Sequence, residues 1–124
     1  MWLFTKYGFF SVVCARQGDG KYGRPVDTGR MMVRARAAEH LENLLKRFPD
    51  EIGNCEIVIT KDTDYACRLF VDKAAWVTVA AALAEECDYD NFKSAVKHHL
   101  GPNGAEYEHR LHQGWDVMHK MQKR

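Results

Sequence analysis

"MMVRARAAEHLENLLKRFP" spans residues 31–49, and its hydrophobic period changes partway along. Over residues 31–37 apolar and basic side chains alternate. Met31, Val33 and Ala35 fall on one side and Met32, Arg34 and Arg36 on the other, the period of a half-buried strand. Over residues 37–48 the spacing lengthens. Leu41, Leu44, Leu45 and Phe48 recur at helical intervals, and Pro49 ends the helix because the residue before a proline is pushed out of the α region. A strand that runs straight into an amphipathic helix therefore sits at the centre of the chain's first half.

A similar unit follows. "CEIVIT" (55–60) and "YACRLFV" (65–71) read as strands joined by "KDTD", a β-hairpin. Asp72 can cap the alanine-rich helix of residues 73–87, with Trp76, Val79, Ala80 and Leu83 on one stripe. On the other side of the opening stretch, "FFSVVCA" (9–15) is aromatic and β-branched and reads as a strand. "WLFT" (2–5) is a shorter extended piece, set off by Lys6-Tyr7-Gly8. Toward the end, Asp90 is placed to start a short helix that "GPNG" (101–104) stops. A last helix is expected over 105–122, with Tyr107, Leu111, Trp115 and Met118 on one face. The expected order is β-β-α-β-β-α-α-α. That predicts an α+β fold, an antiparallel sheet of about four strands with helices on one face.

The chain has 124 residues, 46% hydrophobic and 28% charged, with a formal net charge of +1. This is ordinary globular usage, and the length predicts a single domain over 1–124. Near-neutrality leaves no global field to draw the chain onto nucleic acid or an anionic membrane, so such binding would need a local patch. No apolar run approaches a membrane span, and "MWLFTKYGFF" does not read as a secretion signal. The expectation is a cytoplasmic protein. Cys14, Cys55, Cys67 and Cys87 are scattered in apolar contexts, which predicts reduced thiols acting as small hydrophobes.

"GDGKYG" (18–23) has the spacing G-x-G-x-x-G of a dinucleotide fingerprint. That fingerprint works only where a strand turns into a helix whose N-terminus meets the pyrophosphate. Here "RPVDTG" follows, with a proline and a further glycine, and then a strand. The stretch belongs to a flexible glycine-rich hairpin loop over residues 16–30, and no dinucleotide or other cofactor is expected.

Other groupings carry candidate chemistry. Glu108, His112 and His119 share one sector of the last helix, a weak candidate metal set lacking an H-E-x-x-H motif. The acids of "EECDYDNF" (85–92) mark helix boundaries. Arg34 and Arg36 share a strand face, with Arg68 on the neighbouring hairpin and Trp2, Phe4 and Phe9 in reach if the first strand pairs alongside. Open sheet faces of this kind bind single-stranded nucleic acid. The near-zero net charge points instead to a solvated face whose arginines pair with neighbouring acids.

"MWLFTKYGFFSVV", "MMVRARAAEHLENL", "TDYACRLFV" before "KAAWVTVAAALAE", "DYDNFKSAV" and "WDVMHKMQ" together resemble a family of small uncharacterised proteins of bacteria and some of their phages. The resemblance covers nearly the whole chain except the glycine loop, which looks like a local expansion of a shorter connection. It brings no site residues and implies an accessory or regulatory role.

The expected function is that of a small non-enzymatic interaction protein, binding a protein partner or itself. Trp2 and Trp115 are among the large apolar residues in excess of one small core. The alternatives are single-stranded nucleic-acid binding through Arg34, Arg36 and Arg68, and a small metal-dependent or acid–base enzyme using the late histidines.

Overall fold

Strand β1 (Trp2–Thr5) turns back into β2 (Gly8–Arg16) within two residues. The computed structural model describes residues 1–122, and it accounts for the glycine that ends this turn. Gly8 has a φ of +151°, and a Cβ there would lie 2.3 Å from Cγ of His40. Thr5 fastens the turn. Its hydroxyl donates to the Gly8 carbonyl at 2.8 Å and accepts from the Tyr7 and Gly8 N–H groups at 3.1 and 3.2 Å.

The chain continues through β3 (Val26–Ala35), α1 (Ala38–Arg47), the single turn α2 (Pro49–Ile52), β4 (Val58–Ile59), β5 (Cys67–Asp72) and α3 (Lys73–Glu85). After these come α4 (Phe92–Leu100), a 3₁₀ turn (Gly101–Gly104) and α5 (Ala105–His119). The strands form one antiparallel sheet in the order β1-β2-β3-β5-β4. The α+β class stands, but the sheet has five strands rather than about four. The element order also differs, because three strands precede the first helix. "WLFT" is a full edge strand, paired from Trp2↔Ser11 to Thr5↔Gly8.

The glycine loop is shorter than residues 16–30. Arg16 pairs with Val26 and Ala15 with Asp27, so only residues 17–25 lie outside the strands. The register jumps between Cys14 and Ala15, a bulge that absorbs the extra residues on β3. "CEIVIT" contributes only Val58 and Ile59 to the sheet.

Alternation sends Phe10, Val12, Met31, Val33, Ala35, Cys67, Leu69 and Val71 to one face. They pack with Leu41 and Leu44 of α1 and with Trp76 and Val79 of α3, and Phe48 and Ile52 complete the cluster. Each large side chain so buried contributes about 1.5–3 kcal/mol. Tyr7 ties three elements together at one end of this core. Its hydroxyl donates to Glu86 Oε2 at 2.6 Å, and Glu86 in turn pairs with Arg47. Burial, reinforced by Glu86, pushes the Tyr7 phenol up to about 12.

The chain separates into two compact units, Met1–Cys87 and a second beginning at Asp88. In the second, α4 and α5 form a helical hairpin around the 3₁₀ turn. Its cap is Asn91 rather than Asp90, because the Asn91 side chain accepts the Ser94 N–H at 3.0 Å. Asp72 does hold the cap position of α3, though its side chain makes no capping hydrogen bond. Among the described residues no helix is long and apolar enough to cross a membrane.

Candidate anion-binding sheet face

The sheet face opposite the core is decided by the same alternation. Trp2 stands across from Ser11, Ser11 from Arg34, and Arg34 from Arg68. Phe4 faces Phe9, and Met32 faces Phe70. Arg30 precedes Met32 and Arg34 on the same side of β3. Of the arginines read from the sequence, Arg34 and Arg68 thus become direct cross-strand neighbours, and Arg36 lies one pleat beyond Arg34.

Like charges directly opposite on a sheet repel, so the partners of these arginines matter. Arg34 donates to Ser11 Oγ at 2.7 Å and to the Ser11 carbonyl at 3.4 Å. Arg68 donates from Nη2 to Thr63 Oγ1 at 2.9 Å and to the Tyr65 carbonyl at 3.1 Å. Its Nε is buried with no hydrogen-bond partner. Aromatic rings carry several of the guanidinium groups. Arg34 and Arg36 lie 4.7 and 4.6 Å from the centre of the Tyr65 ring, and Arg30 lies 4.7 Å from that of Phe70. Arg30 is opposite Asp72 in register. Even so, among the described residues none of Arg30, Arg34, Arg36 or Arg68 forms an ion pair with a carboxylate. The expected pairing with neighbouring acids does not occur. Asp64 lines the same cleft and Asp72 stands across from Arg30, but neither reaches ion-pair distance of a guanidinium; cation–π contacts of about 0.5–2 kcal/mol orient the guanidiniums without neutralising them.

Over this face opens a cleft of about 790 Å³. Its floor includes Arg30, Met32, Arg34, Arg68 and Phe70, its far wall the turn of Thr63–Tyr65. Its near wall is the glycine loop, through Gly18, Asp19, Gly20 and Tyr22. "GDGKYG" is thus no dinucleotide fingerprint, since no helix follows it, yet it does border a cleft. Asp19 does not neutralise the floor, because Arg24 and Lys21 already hold it at 3.3 and 4.0 Å. Arg16, also on the wall, lies 5.3 Å from the centre of the Tyr22 ring, and Tyr22 is 96% exposed. The strand period alone points to Arg30 and Phe70. No sequence signal marks Arg16, Tyr22, Thr63 or Tyr65, which reach the site through loops and a turn.

The remaining candidates are not among the residues that line this cleft. Trp115 belongs to the second unit. It is exposed on α5, stacked on His119 at 4.7 Å, with Lys93 Nζ 5.5 Å from its ring centre. His112 Nε2 lies 4.0 Å from Glu108 Oε1, an i,i+4 contact, and its Nδ1 lies 3.4 Å from Lys93 Nζ. Among the described residues no three His, Cys, Asp or Glu side chains are grouped to hold an ion. All four cysteines are free thiols, and burial raises Cys55 and Cys67 above the usual thiol range.

Comparison with protein-family models, curated proteins and solved structures finds no match to this chain.

Proposed function

We propose that this chain binds single-stranded nucleic acid across the arginine-bearing sheet face. One observation carries the reading. Arg34 and Arg68 are held directly opposite each other, half-buried, and among the described residues no carboxylate lies within ion-pair distance of either. Keeping two like charges together costs stability unless an anion sits between them. A phosphate meets that need, because the guanidinium fork matches its oxygens in pairs. The repetition of the motif at Arg30 and Arg36 favours a chain of phosphates over an isolated anion.

The rings favour unpaired bases. Tyr22 on the cleft wall offers a nearly bare face beside Arg16. Stacking on aromatic and guanidinium planes is the usual way proteins hold splayed bases. The test is a fluorescence anisotropy titration of the protein into labelled single strands and into duplexes of the same sequence at low salt. The reading predicts salt-sensitive binding of the single strand and much weaker binding of the duplex. Equal binding of both, or of neither, contradicts it.

A second reading, protein binding or self-association, rests on α5. Trp115, Val117 and Met118 are more than half exposed there. Sedimentation of the wild type and of Trp115→Ala would separate the two readings. Self-association lost in the variant, with no affinity for oligonucleotides, supports the second.

A further inference from the structure

We infer that Trp2 and Phe4, backed by Phe9, form a base-stacking platform that extends the arginine cleft into a track for two to three unpaired nucleotides. The inference rests on the nucleic-acid reading and adds to it where the bases go.

Trp2 and Phe4 are 66% and 49% exposed on the edge strand, on the same side as the arginines. Their rings are fixed in place. Phe4 stacks on Phe9 with centroids 4.5 Å apart and planes 13° apart, and Trp2 meets Phe9 edge-on at 5.6 Å. Large apolar side chains on an edge strand are a liability that charge normally blunts. "WLFT" carries no charged residue, so the exposure is retained on the edge rather than relieved. The core does not include these rings: Leu3, Tyr7, Phe10, Val12 and Cys14 are the residues of this hairpin that pack into or against it.

What separates this patch from a mere sticky edge is its continuity with the charges. Phe9 lies 6.3 Å from Tyr65, and Tyr65 is the ring that carries Arg34 and Arg36. The rings of β1 and β2 are therefore contiguous with the arginines through Tyr65, a ring that is itself buried beneath them. Three strand spacings make the distance from β1 to β5 ~14 Å, comparable to sheet surfaces that stack two or three bases. Phosphates lie over the arginines and bases over the flat rings, an arrangement that neither a free phosphate nor an acidic protein segment would use in full.

The experiment compares two eight-residue strands, oligothymidylate and a base-free sugar-phosphate strand. Each is titrated against wild type, Trp2→Leu/Phe4→Leu and Arg34→Met/Arg68→Met. The leucines keep apolar cover while removing the flat rings, and thermal melting checks that each variant is folded. Loss of one stacked base predicts a roughly five- to 150-fold weaker oligothymidylate complex in the leucine variant, and loss of two a larger drop, with base-free binding unchanged. The methionine variant should lose both. Wild-type binding that is equal for the two strands, or a leucine variant that still binds oligothymidylate fully, overturns the platform but leaves the arginine site standing. So does a dimer that dissociates in the leucine variant with oligothymidylate affinity intact. Failure of wild type to bind either strand removes the underlying reading as well.

Discussion

Replacing Arg34 and Arg68 together by methionine removes two guanidiniums from the cleft floor while keeping apolar cover over the sheet. The effect on binding follows from counting contacts. If Arg30, Arg34, Arg36 and Arg68 each neutralise one phosphate of a single strand, log K falls with log salt at a slope of about 2.8 in magnitude, ~0.7 per contact. Raising salt from about 50 to about 200 mM should then weaken wild type by roughly 50-fold. With two contacts gone the slope drops to about 1.4, and the same change in salt weakens the variant by only about sevenfold. Stability moves in opposing directions. The variant loses the hydrogen bonds to Ser11, Thr63 and Tyr65, about 0.5–1.5 kcal/mol each for partly solvated groups. It gains relief from the like-charge pair and from the unpartnered Arg68 Nε. A thermal melt therefore accompanies the anisotropy titration, so that the slope is read only on folded protein. A slope that is the same in the folded variant as in wild type would refute the assignment of phosphates to these arginines.

Other expectations follow from neighbouring features. Shortening residues 18–23 to a two-residue turn removes Tyr22 and one wall of the cleft; the fold should persist, but oligonucleotide affinity should fall, as titration of the shortened chain would register. His40 accepts the Phe9 N–H at Nδ1, 3.2 Å away, and burial holds it below its ordinary value against the opposing pull of Glu39. Because the folded chain favours the neutral ring, this contribution is present above the unfolded value near 6.5 and is lost as pH falls through the lower folded value; melting in pH steps should show that acid limb, flattened in His40→Gln. Trp115→Ala should cost under about 1 kcal/mol, because the ring is exposed rather than core, and a loss of about 3–5 kcal/mol by denaturant titration would place it in a core instead. Asn91→Ala should lower stability by about 1 kcal/mol through the missing cap, an effect that Asn91→Asp should largely spare in the same assay.

The alternation in residues 31–35 separates the side of β3 that carries Met31, Val33 and Ala35 from the side that carries Arg34, whereas the side on which Arg68 falls follows only from its register with Arg34. The helical stripes of α1 and α3 were legible for the same reason, since one buried face imposes one period. The short strands were harder. Cys55 and Ile57 pack against the core from irregular backbone, so their apolar spacing imitates a longer strand than the Val58–Ile59 pair that the sheet accepts. "WLFT" reads as a fragment until its pairing with β2 is known. The state of the arginines was beyond sequence reasoning, because pairing with an acid depends on where distant side chains arrive. The glycine loop illustrates the same limit. Its composition identifies a loop, but only the pairing of Arg16 with Val26 brings Tyr22 beside the arginine face.

A single strand received by the sheet face, and not by the helices, would move a definite set of resonances. The measurement follows backbone and arginine side-chain resonances of ¹⁵N-labelled protein while an unlabelled eight-nucleotide single strand is added. Shifts should concentrate at Arg30, Arg34, Arg36, Arg68, Tyr22 and Tyr65 and extend to Trp2 and Phe4, with α1 and α3 unmoved. Shifts confined to α5 around Trp115, or a spectrum unchanged at saturating oligonucleotide, would contradict binding at the sheet face.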